Sequence, residues 1–174
     1  MRISPGVPGL LPREVQPGGL SISGSFIPAG TDIGVPHYAI HHNEAYYPDS
    51  WAYKPERWIV DARLGVSEED VARAQSAFAP FSIGPRGCVG KALAMKEIMI
   101  VVGRLVWGYE MRISEGSRVG EGAGGMGWGR ERRGELQMRD MFVGKAEGPF
   151  VEFKSRGRDM IQQDIEGVTA ARIS

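Results

Sequence analysis

The sequence has almost no cysteine and no net charge. Its 174 residues include one cysteine, and 21 acidic side chains balance 21 basic ones. One thiol cannot form a disulfide within the chain, so a disulfide-stabilised fold is excluded and a reducing compartment is expected. The balanced charge provides no overall field that would attract nucleic acid or an anionic membrane, so we expect no nucleic-acid partner.

Long apolar runs are also absent. The most apolar stretch, residues 98–107, is interrupted by Gly103 and Arg104 and is shorter than the roughly 20 residues that span a bilayer. Residues 1–14 lack the charged start and apolar run of a secretory signal. We therefore expect this chain not to cross a membrane. With 42% hydrophobic residues, it has enough apolar content for the core of one domain.

The single cysteine lies in an unusual segment. Cys88 belongs to residues 81–90, a glycine-rich stretch that precedes a long apolar run. If a helix begins after this segment, the free N–H groups and the dipole of its first turn favour the thiolate form of Cys88. A thiolate is the form in which cysteine binds heme iron. The glycines would let the backbone lie against a flat macrocycle, and Arg86 could pair with a carboxylate on its rim.

The spacing of this segment resembles the heme-binding loop of the cytochrome P450 family. That loop reads Phe, two residues, Gly, one residue, Arg, one residue, Cys, one residue and Gly. Every specified place is filled here, by Phe81, Gly84, Arg86, Cys88 and Gly90. The resemblance implies that Cys88 is the axial metal ligand of heme b and that the other four residues contact the cofactor.

Two flanking segments resemble the same family, in the order that the family requires. Residues 54–58, Lys-Pro-Glu-Arg-Trp, are similar to the element that precedes the heme loop. Residues 4–14 are similar to the segment that follows the family's K helix, and Arg13 would hold a heme propionate. The resemblance covers nearly all of residues 1–154 and maps to the last third or so of a family member, as in a C-terminal fragment.

The resemblance also assigns a role to two other arginines. Arg2 and Arg57 would belong to the family's buried Glu-Arg-Arg network, whose glutamate would precede Met1. Without that carboxylate, the two guanidiniums would lose their shared acceptor. An uncompensated buried charge costs about 3–5 kcal/mol, so we expect the support of the heme loop to be weakened.

The implied fold is α+β, the C-terminal part of the mainly helical cytochrome P450 fold. The expected elements are a β-meander over residues 20–39, an irregular meander over 51–80 with a short helix from Ser67 to about Gln75, the heme loop, a long buried helix after Cys88, and a closing β-hairpin of 137–143 and 150–153. The helix after Cys88 is expected to be buried because it is apolar almost all round.

Two segments are expected to add little to this fold. Residues 116–134 contain eight glycines and few apolar side chains, so ordering them would bury little surface, and we predict a mobile insertion. Residues 155–174 are mixed and polar, which is typical of a loose tail.

The sequence also contains weak signals for three other kinds of site. His37, His41 and His42 suggest zinc, but Pro36 and β-prone neighbours argue against the helix that would align His37 with His41, so structural histidines are favoured. A phosphate loop at Gly90-Lys91 lacks the required earlier glycine and the following Ser or Thr. Trp128 and the arginines near it could imitate an RNA-binding segment, but interspersed glutamates favour a solvated loop.

The resemblance implies a heme-thiolate monooxygenase similar to fungal microsomal members. In the full-length form it would insert one oxygen atom from O2 into a small apolar organic substrate, with electrons from NADPH delivered by NADPH-cytochrome P450 reductase at the cytosolic face of the endoplasmic reticulum. Residues 7–11 and 145–149 would line the substrate pocket. The alternative is a truncated, noncatalytic fragment or pseudogene product that binds heme weakly or not at all. We expect no monooxygenation by this chain alone.

Overall fold

The computed structural model describes residues 1–127 and 130–157. Strands come first, helices follow and further strands end the described part of the chain, and three short 3₁₀ turns lie among the helices at Pro55–Trp58, Ala62–Leu64 and Gly84–Arg86. In chain order the elements are β1 (Arg13–Glu14), β2 (Leu20–Ile22), β3 (Ser25–Ile27), β4 (Asp32–Ile33), α1 (His37–His41), α2 (Glu68–Ser76), α3 (Lys91–Gly108), β5 (Tyr109–Ile113), β6 (Met138–Met141), β7 (Val143–Ala146) and β8 (Val151–Ser155).

The strands near the start form two separate antiparallel pairs. β2 and β3 make the hairpin that the Ser23-Gly24 turn predicts, with Ser21 opposite Phe26. β4 does not extend this hairpin, because it pairs with β1, which the sequence prediction did not include. The predicted single meander is therefore wrong. Its expected apolar face is also exposed: Phe26 and Val35 keep 67% and 61% of their surface accessible.

Helix α2 begins where the sequence predicts. The hydroxyl of Ser67 accepts the backbone N–H of Asp70 at 3.1 Å, and the Asp70 carboxylate accepts the backbone N–H of Ser67 at 3.0 Å. These reciprocal bonds form a capping box, which satisfies two N–H groups that the first turn cannot bond internally. The Ser67 hydroxyl also donates to the Asp70 carboxylate at 2.7 Å, and this bond and the one from the Ser67 N–H lower the pKa of the Asp70 carboxyl, because they favour its charged form.

Replacing Ser67 with alanine should destabilise the chain by about 1 kcal/mol, because an N-cap hydroxyl is lost. Urea denaturation followed by circular dichroism would measure this change. The control is Ser76→Ala at the other end of α2, where the hydroxyl bonds only to the Arg73 carbonyl of the same helix. An equal loss in both variants would contradict the capping role.

The core lies where α1, α2 and the 3₁₀ turn at Pro55–Trp58 meet. Tyr47, Ala74 and Ala77 are buried together, and Ile40 and Trp58 pack against them. The Tyr47 hydroxyl donates to the Ala74 carbonyl at 2.9 Å, so the ring joins α2 to the segment after α1. This core holds α1 in a fixed place, which matters for the cysteine loop.

The long helix is present but is not buried. α3 covers 18 residues, and none of its side chains is buried among the described residues. Leu93, Met99 and Ile100 keep 64%, 69% and 57% of their surface exposed. The sequence pattern predicts burial because an all-round apolar helix needs neighbours on most faces, and the described residues do not supply them. The expected burial is therefore wrong for this chain.

The closing strands pair differently from the prediction. β6 pairs with β7 through a tight turn at Phe142, whose φ is +73°. β8 pairs over its full length with β5, which directly follows α3. The predicted hairpin of residues 137–143 with 150–153 is therefore wrong, because β6 finds its partner in residues 143–146, which composition alone assigns mostly to a turn. β5 was not expected at all.

The predictions on membrane crossing and on the C-terminal tail can be compared with the described residues. No helix within residues 1–127 and 130–157 combines enough length and apolar character to cross a bilayer. Ser155 ends β8 and so belongs to a strand, not to the predicted tail. The rest of that tail from residue 158 onward, and Trp128, lie outside the described residues.

Candidate functional site: the cysteine loop

The cysteine loop is held by its own backbone. The N–H of Cys88 donates to the Phe81 carbonyl at 2.9 Å, and the N–H of Gly87 donates to the Gly84 carbonyl at 2.9 Å. Gly84 starts the 3₁₀ turn with φ +71°, a conformation that glycine adopts without steric cost. Gly90 is the N-cap of α3, so Cys88 lies two residues before the N-cap of the long helix.

The loop presents the thiol to open space. Cys88 is exposed, and the next residue, Val89, is fully exposed at 104%. A Cβ added at Gly84 would meet no atom within 4 Å, and one added at Gly90 would lie 3.8 Å from the Cys88 Sγ, beside the sulfur. An accessible soft ligand with glycines beside it fits a heme, because the macrocycle needs both a thiolate and a surface free of side chains.

The other predicted cofactor residues are distributed over two parts of the chain. Arg86 ends the 3₁₀ turn, is exposed, and forms no ion pair within the part of the chain that the structure describes. Phe81 is half-buried at the start of the loop. Arg13 lies on β1 and donates to its neighbour, the Pro12 carbonyl, at 2.8 Å. No hydrogen bond among residues 1–127 and 130–157 joins Arg13 to the loop, so its role stays a prediction.

Helix α1 corrects one sequence prediction. His37 and His41 do lie on one helix, with ring centroids 6.1 Å apart. Pro36 does not prevent this, because it occupies the N-cap position, where its missing N–H removes no helical bond. All three histidines are buried. No cluster of three or more His, Cys, Asp or Glu suited to a metal occurs in the part of the chain that the structure describes.

His41 contacts the chain just before the cysteine loop. Its Nε2 accepts the backbone N–H of Ala79 at 3.3 Å, and its ring stacks on Phe78 with centroids 5.6 Å apart. The ring has no exposed surface, and burial lowers its pKa to about 4, with His37 and His42 adding to the effect. His41 is therefore neutral near pH 7. In the sequence alone Pro36 argues against this helix, although a proline at a helix start is compatible with one.

The neighbouring face of α1 meets the glycine-rich segment. Trp51 stacks on His42 with centroids 4.2 Å apart, and the Arg132 guanidinium lies 3.4 Å from the centre of the Trp51 ring. The Tyr38 hydroxyl donates to the Glu135 carboxylate. Burial and Glu135 together raise the pKa of Tyr38. Arg132 therefore contacts Trp51, and Glu135 contacts Tyr38 of α1. The mobility of residues 116–134 stays a prediction.

Two glycines pack the same segment against residues 147–148. A Cβ added at Gly120 would lie 2.4 Å from the Glu147 carbonyl oxygen, and one added at Gly148 would lie 2.4 Å from the Val119 carbonyl oxygen. Real Cβ atoms do not approach so closely, so the two backbones can meet here only because both residues are glycine. The contact fixes the start of the glycine-rich segment beside the strand β7.

Arg2 and Arg57 are both buried. The Arg2 guanidinium donates to the carbonyls of His41, Ser50 and Ala52 at 2.8, 2.6 and 3.2 Å. Arg57 donates to the Pro48 carbonyl at 3.2 Å, while its Nε is buried without a partner. Burial lowers the pKa of Arg2, and the nearby Arg57 lowers it further. Neither forms an ion pair with a carboxylate in the described part of the chain, and backbone carbonyls are their acceptors there.

One of the two segments assigned to a substrate pocket lies beside the β6–β7 hairpin. The N–H of Gly144 donates to the Gly6 carbonyl at 2.8 Å, which joins β7 to the start of the chain. A Cβ added at Gly144 would lie 3.5 Å from the Pro8 ring. Residues 8 and 9 therefore lie beside the β6–β7 hairpin, whose second strand includes residues 145 and 146 of the other segment.

The exposed Cys88, in a glycine-lined loop before a long helix, is placed as a thiolate ligand of heme would need to be. The family model for cytochrome P450 matches residues 1–125 of this chain. The chain therefore belongs to the cytochrome P450 family, whose members carry heme iron and act as oxidoreductases.

Curated fungal relatives agree with the family model. The chain is 45% identical over 157 residues to the cytochrome P450 monooxygenase AKT7 of Alternaria alternata, covering 88% of this chain and 30% of that protein. It is 42% identical over 161 residues to the cytochrome P450 monooxygenase apf7 of Gibberella fujikuroi, covering 90% and 29%. The chain thus spans about a third or less of the length of these relatives.

A solved structure supports the fold. The chain matches a zebrafish cytochrome P450, determined with abiraterone, with a TM-score of 0.65 and 27% identity. The match covers 90% of this chain and 31% of the zebrafish chain. The architecture of residues 1–127 and 130–157 is therefore a partial cytochrome P450 fold, as the sequence predicts.

Proposed function

We propose that this chain provides the thiolate-ligand side of a heme-thiolate monooxygenase site. The observation that supports this most directly is the exposed Cys88 thiol, which lies beside Gly90 in a loop where a Cβ added at Gly84 would meet no atom within 4 Å. In a full-length protein of this type, the reaction would insert one oxygen atom from O2 into an apolar organic substrate. The names of the fungal relatives, all monooxygenases, support the same reaction class.

Each residue of the loop has a separate task in this proposal. Cys88 would bind the iron of heme b through its sulfur, and Arg86 would pair with a propionate because its guanidinium is exposed and has no competing carboxylate among the described residues. Phe81 fixes the backbone of Cys88 through its carbonyl. Heme bound through a thiolate supplies the chemistry that activates dioxygen.

The substrate and the partners belong to the same proposal. Residues 7–11 and 145–149 would line one edge of a pocket for a small apolar molecule, and the contact of Pro8 with Gly144 of β7 supports their proximity. NADPH-cytochrome P450 reductase would supply electrons, with the full-length protein at the cytosolic face of the endoplasmic reticulum. For the chain by itself, the alternative is a noncatalytic fragment that binds heme weakly. The apolar faces of α3 are exposed, so this chain covers little apolar surface of its own. It would contact heme from one side only, and the free energy of binding grows with the apolar area that is buried.

Titration with hemin tests the proposal. The 174-residue chain would be reduced and treated with carbon monoxide, and the absorption spectrum recorded at each heme ratio. A Soret band of the thiolate-ligated type supports the proposal. A saturating heme complex that lacks this band would contradict it, and no heme uptake at all would favour the noncatalytic alternative.

Arg86→Ala should weaken heme binding about tenfold. The lost contact is a charge-assisted one, and the exposure of Arg86 places its effect at the low end of the usual range. Hemin titration of both proteins would measure the change. The control is Arg104→Ala. Arg104 is exposed and lies about 20 Å from the first residue of α3, at a rise of 1.5 Å per residue. Equal affinity of the Arg86 variant and the unmodified chain would exclude a propionate contact.

A further inference from the structure

The turn before the cysteine loop is fixed at two points. The Ala79 carbonyl accepts the N–H of Ser82 at 2.9 Å, and the Phe81 carbonyl accepts the N–H of Cys88 at 2.9 Å. The orientation of residues 79–82 therefore determines where the Phe81 carbonyl points, and that carbonyl determines where Cys88 lies. A displacement of Ala79 would be transmitted to the thiol through two hydrogen bonds.

The turn is also strained. Ser82 has φ +58°, in the left-handed region that non-glycine residues seldom adopt. Such a conformation persists only where the surrounding structure holds it. Hydrogen bonds within the turn account for one side of Ser82. The other side faces His37, whose Nε2 lies 3.5 Å from the Ser82 hydroxyl.

Helix α1 supplies the external contacts of this turn. His41 accepts the Ala79 N–H through Nε2, and this bond requires the neutral ring with its proton on Nδ1. That Nδ1 is buried and has no hydrogen-bond partner among the described residues. The orientation of the ring therefore satisfies the Ala79 N–H and leaves the Nδ1–H without an acceptor there. His37 is oriented by the Val7 carbonyl, 3.0 Å from its Nδ1, which leaves Nε2 facing Ser82.

The helix itself is firmly placed. His41 has no exposed surface, stacks on Phe78 and meets the edge of Tyr47 with centroids 6.4 Å apart. The Arg2 guanidinium also donates to the His41 carbonyl at 2.8 Å. The ring thus connects the core to the turn, and its Nε2 is hydrogen-bonded to the backbone of the turn.

We propose that His41 is a positioning residue for the Cys88 thiol, acting through the backbone of Ala79 and the strained turn at residues 79–82. His37 assists by facing Ser82. The placement of the loop can be measured with or without heme. Its meaning for catalysis rests on the proposed function, because Cys88 must be the iron ligand for the placement to matter there.

Amide hydrogen exchange of the 174-residue chain tests this proposal. In His41→Phe, which keeps an aromatic ring for stacking but lacks the acceptor, the amides of Ser82 and Cys88 should exchange about tenfold faster, the effect of losing one hydrogen bond. The paired amides of β5 and β8 should not change. His41→Gln, which restores an oxygen acceptor, should recover most of the protection.

The matched control is His42→Phe. His42 is the next residue, is buried to a similar degree, and stacks on Trp51 without a hydrogen bond to the turn. The proposal is overturned if His41→Phe leaves Ser82 and Cys88 unchanged, if all amides accelerate together, if His42→Phe has the same local effect, or if His41→Gln behaves like the phenylalanine variant. Hemin spectra of the same proteins test the iron-ligand assignment separately, so either idea can fail alone.

Discussion

The Cys88→Ser variant should show no thiolate-type Soret band in its reduced carbon-monoxide complex. The chain has no second cysteine that could replace the lost ligand, so we expect the loss to be complete. A serine hydroxyl stays protonated near neutral pH and is a poor ligand for heme iron, whereas the cysteine thiolate is a strong one. Absorption spectroscopy at saturating heme is the measurement.

Val89→Ala is the control for this variant. Val89 is the adjacent residue and is fully exposed, so shortening it changes the loop surface without touching the sulfur. The band should persist there. If it also persists in Cys88→Ser, the axial ligand is another residue and the assignment of the loop is wrong.

Tyr47→Ala should produce the largest loss of stability, about 3–5 kcal/mol, because a fully buried aromatic side chain is removed from the small core. The ring packs beside Trp58 and under the Arg2 guanidinium, which lies 5.1 Å from its centre. A loss of this size is a large part of the total stability of an ordinary domain, about 5–15 kcal/mol. Urea denaturation monitored by circular dichroism would measure it.

Two further variants separate the causes. Tyr47→Phe removes only the hydroxyl that donates to Ala74, and we expect a cost of about 1–2 kcal/mol. Tyr53→Ala serves as the control, since Tyr53 is 83% exposed and its loss should change stability by less than about 0.5 kcal/mol. Comparable losses at positions 47 and 53 would show that the described core is not the stabilising one.

Local signals in the sequence were sufficient for several elements. The capping box at Ser67 and Asp70 uses contacts three residues apart, so the pattern itself contains both partners of each bond. The cysteine loop is similar, because the glycines, the thiol and the helix that follows lie within one short segment. The Ser23-Gly24 hairpin turn is a third example.

Elements that depend on distant partners could not be predicted in this way. β5 pairs with β8 some 40 residues later, and no local pattern identifies that partner. The exposure of α3 depends on which surfaces lie nearby, not on its own composition. The contact of His41 with Ala79 joins residues 38 positions apart, so no local sequence pattern contains both partners.

The two facing glycines beside β7 have a consequence for natural variation. Composition marks residues 116–134 as a segment where evolution can change almost any position. Any side chain at Gly120 or Gly148 would force the two backbones apart, whereas a Cβ at Gly124 would meet no atom within 4 Å. Drift among homologous chains should therefore be uneven, with substitutions accumulating at position 124 and purged at positions 120 and 148.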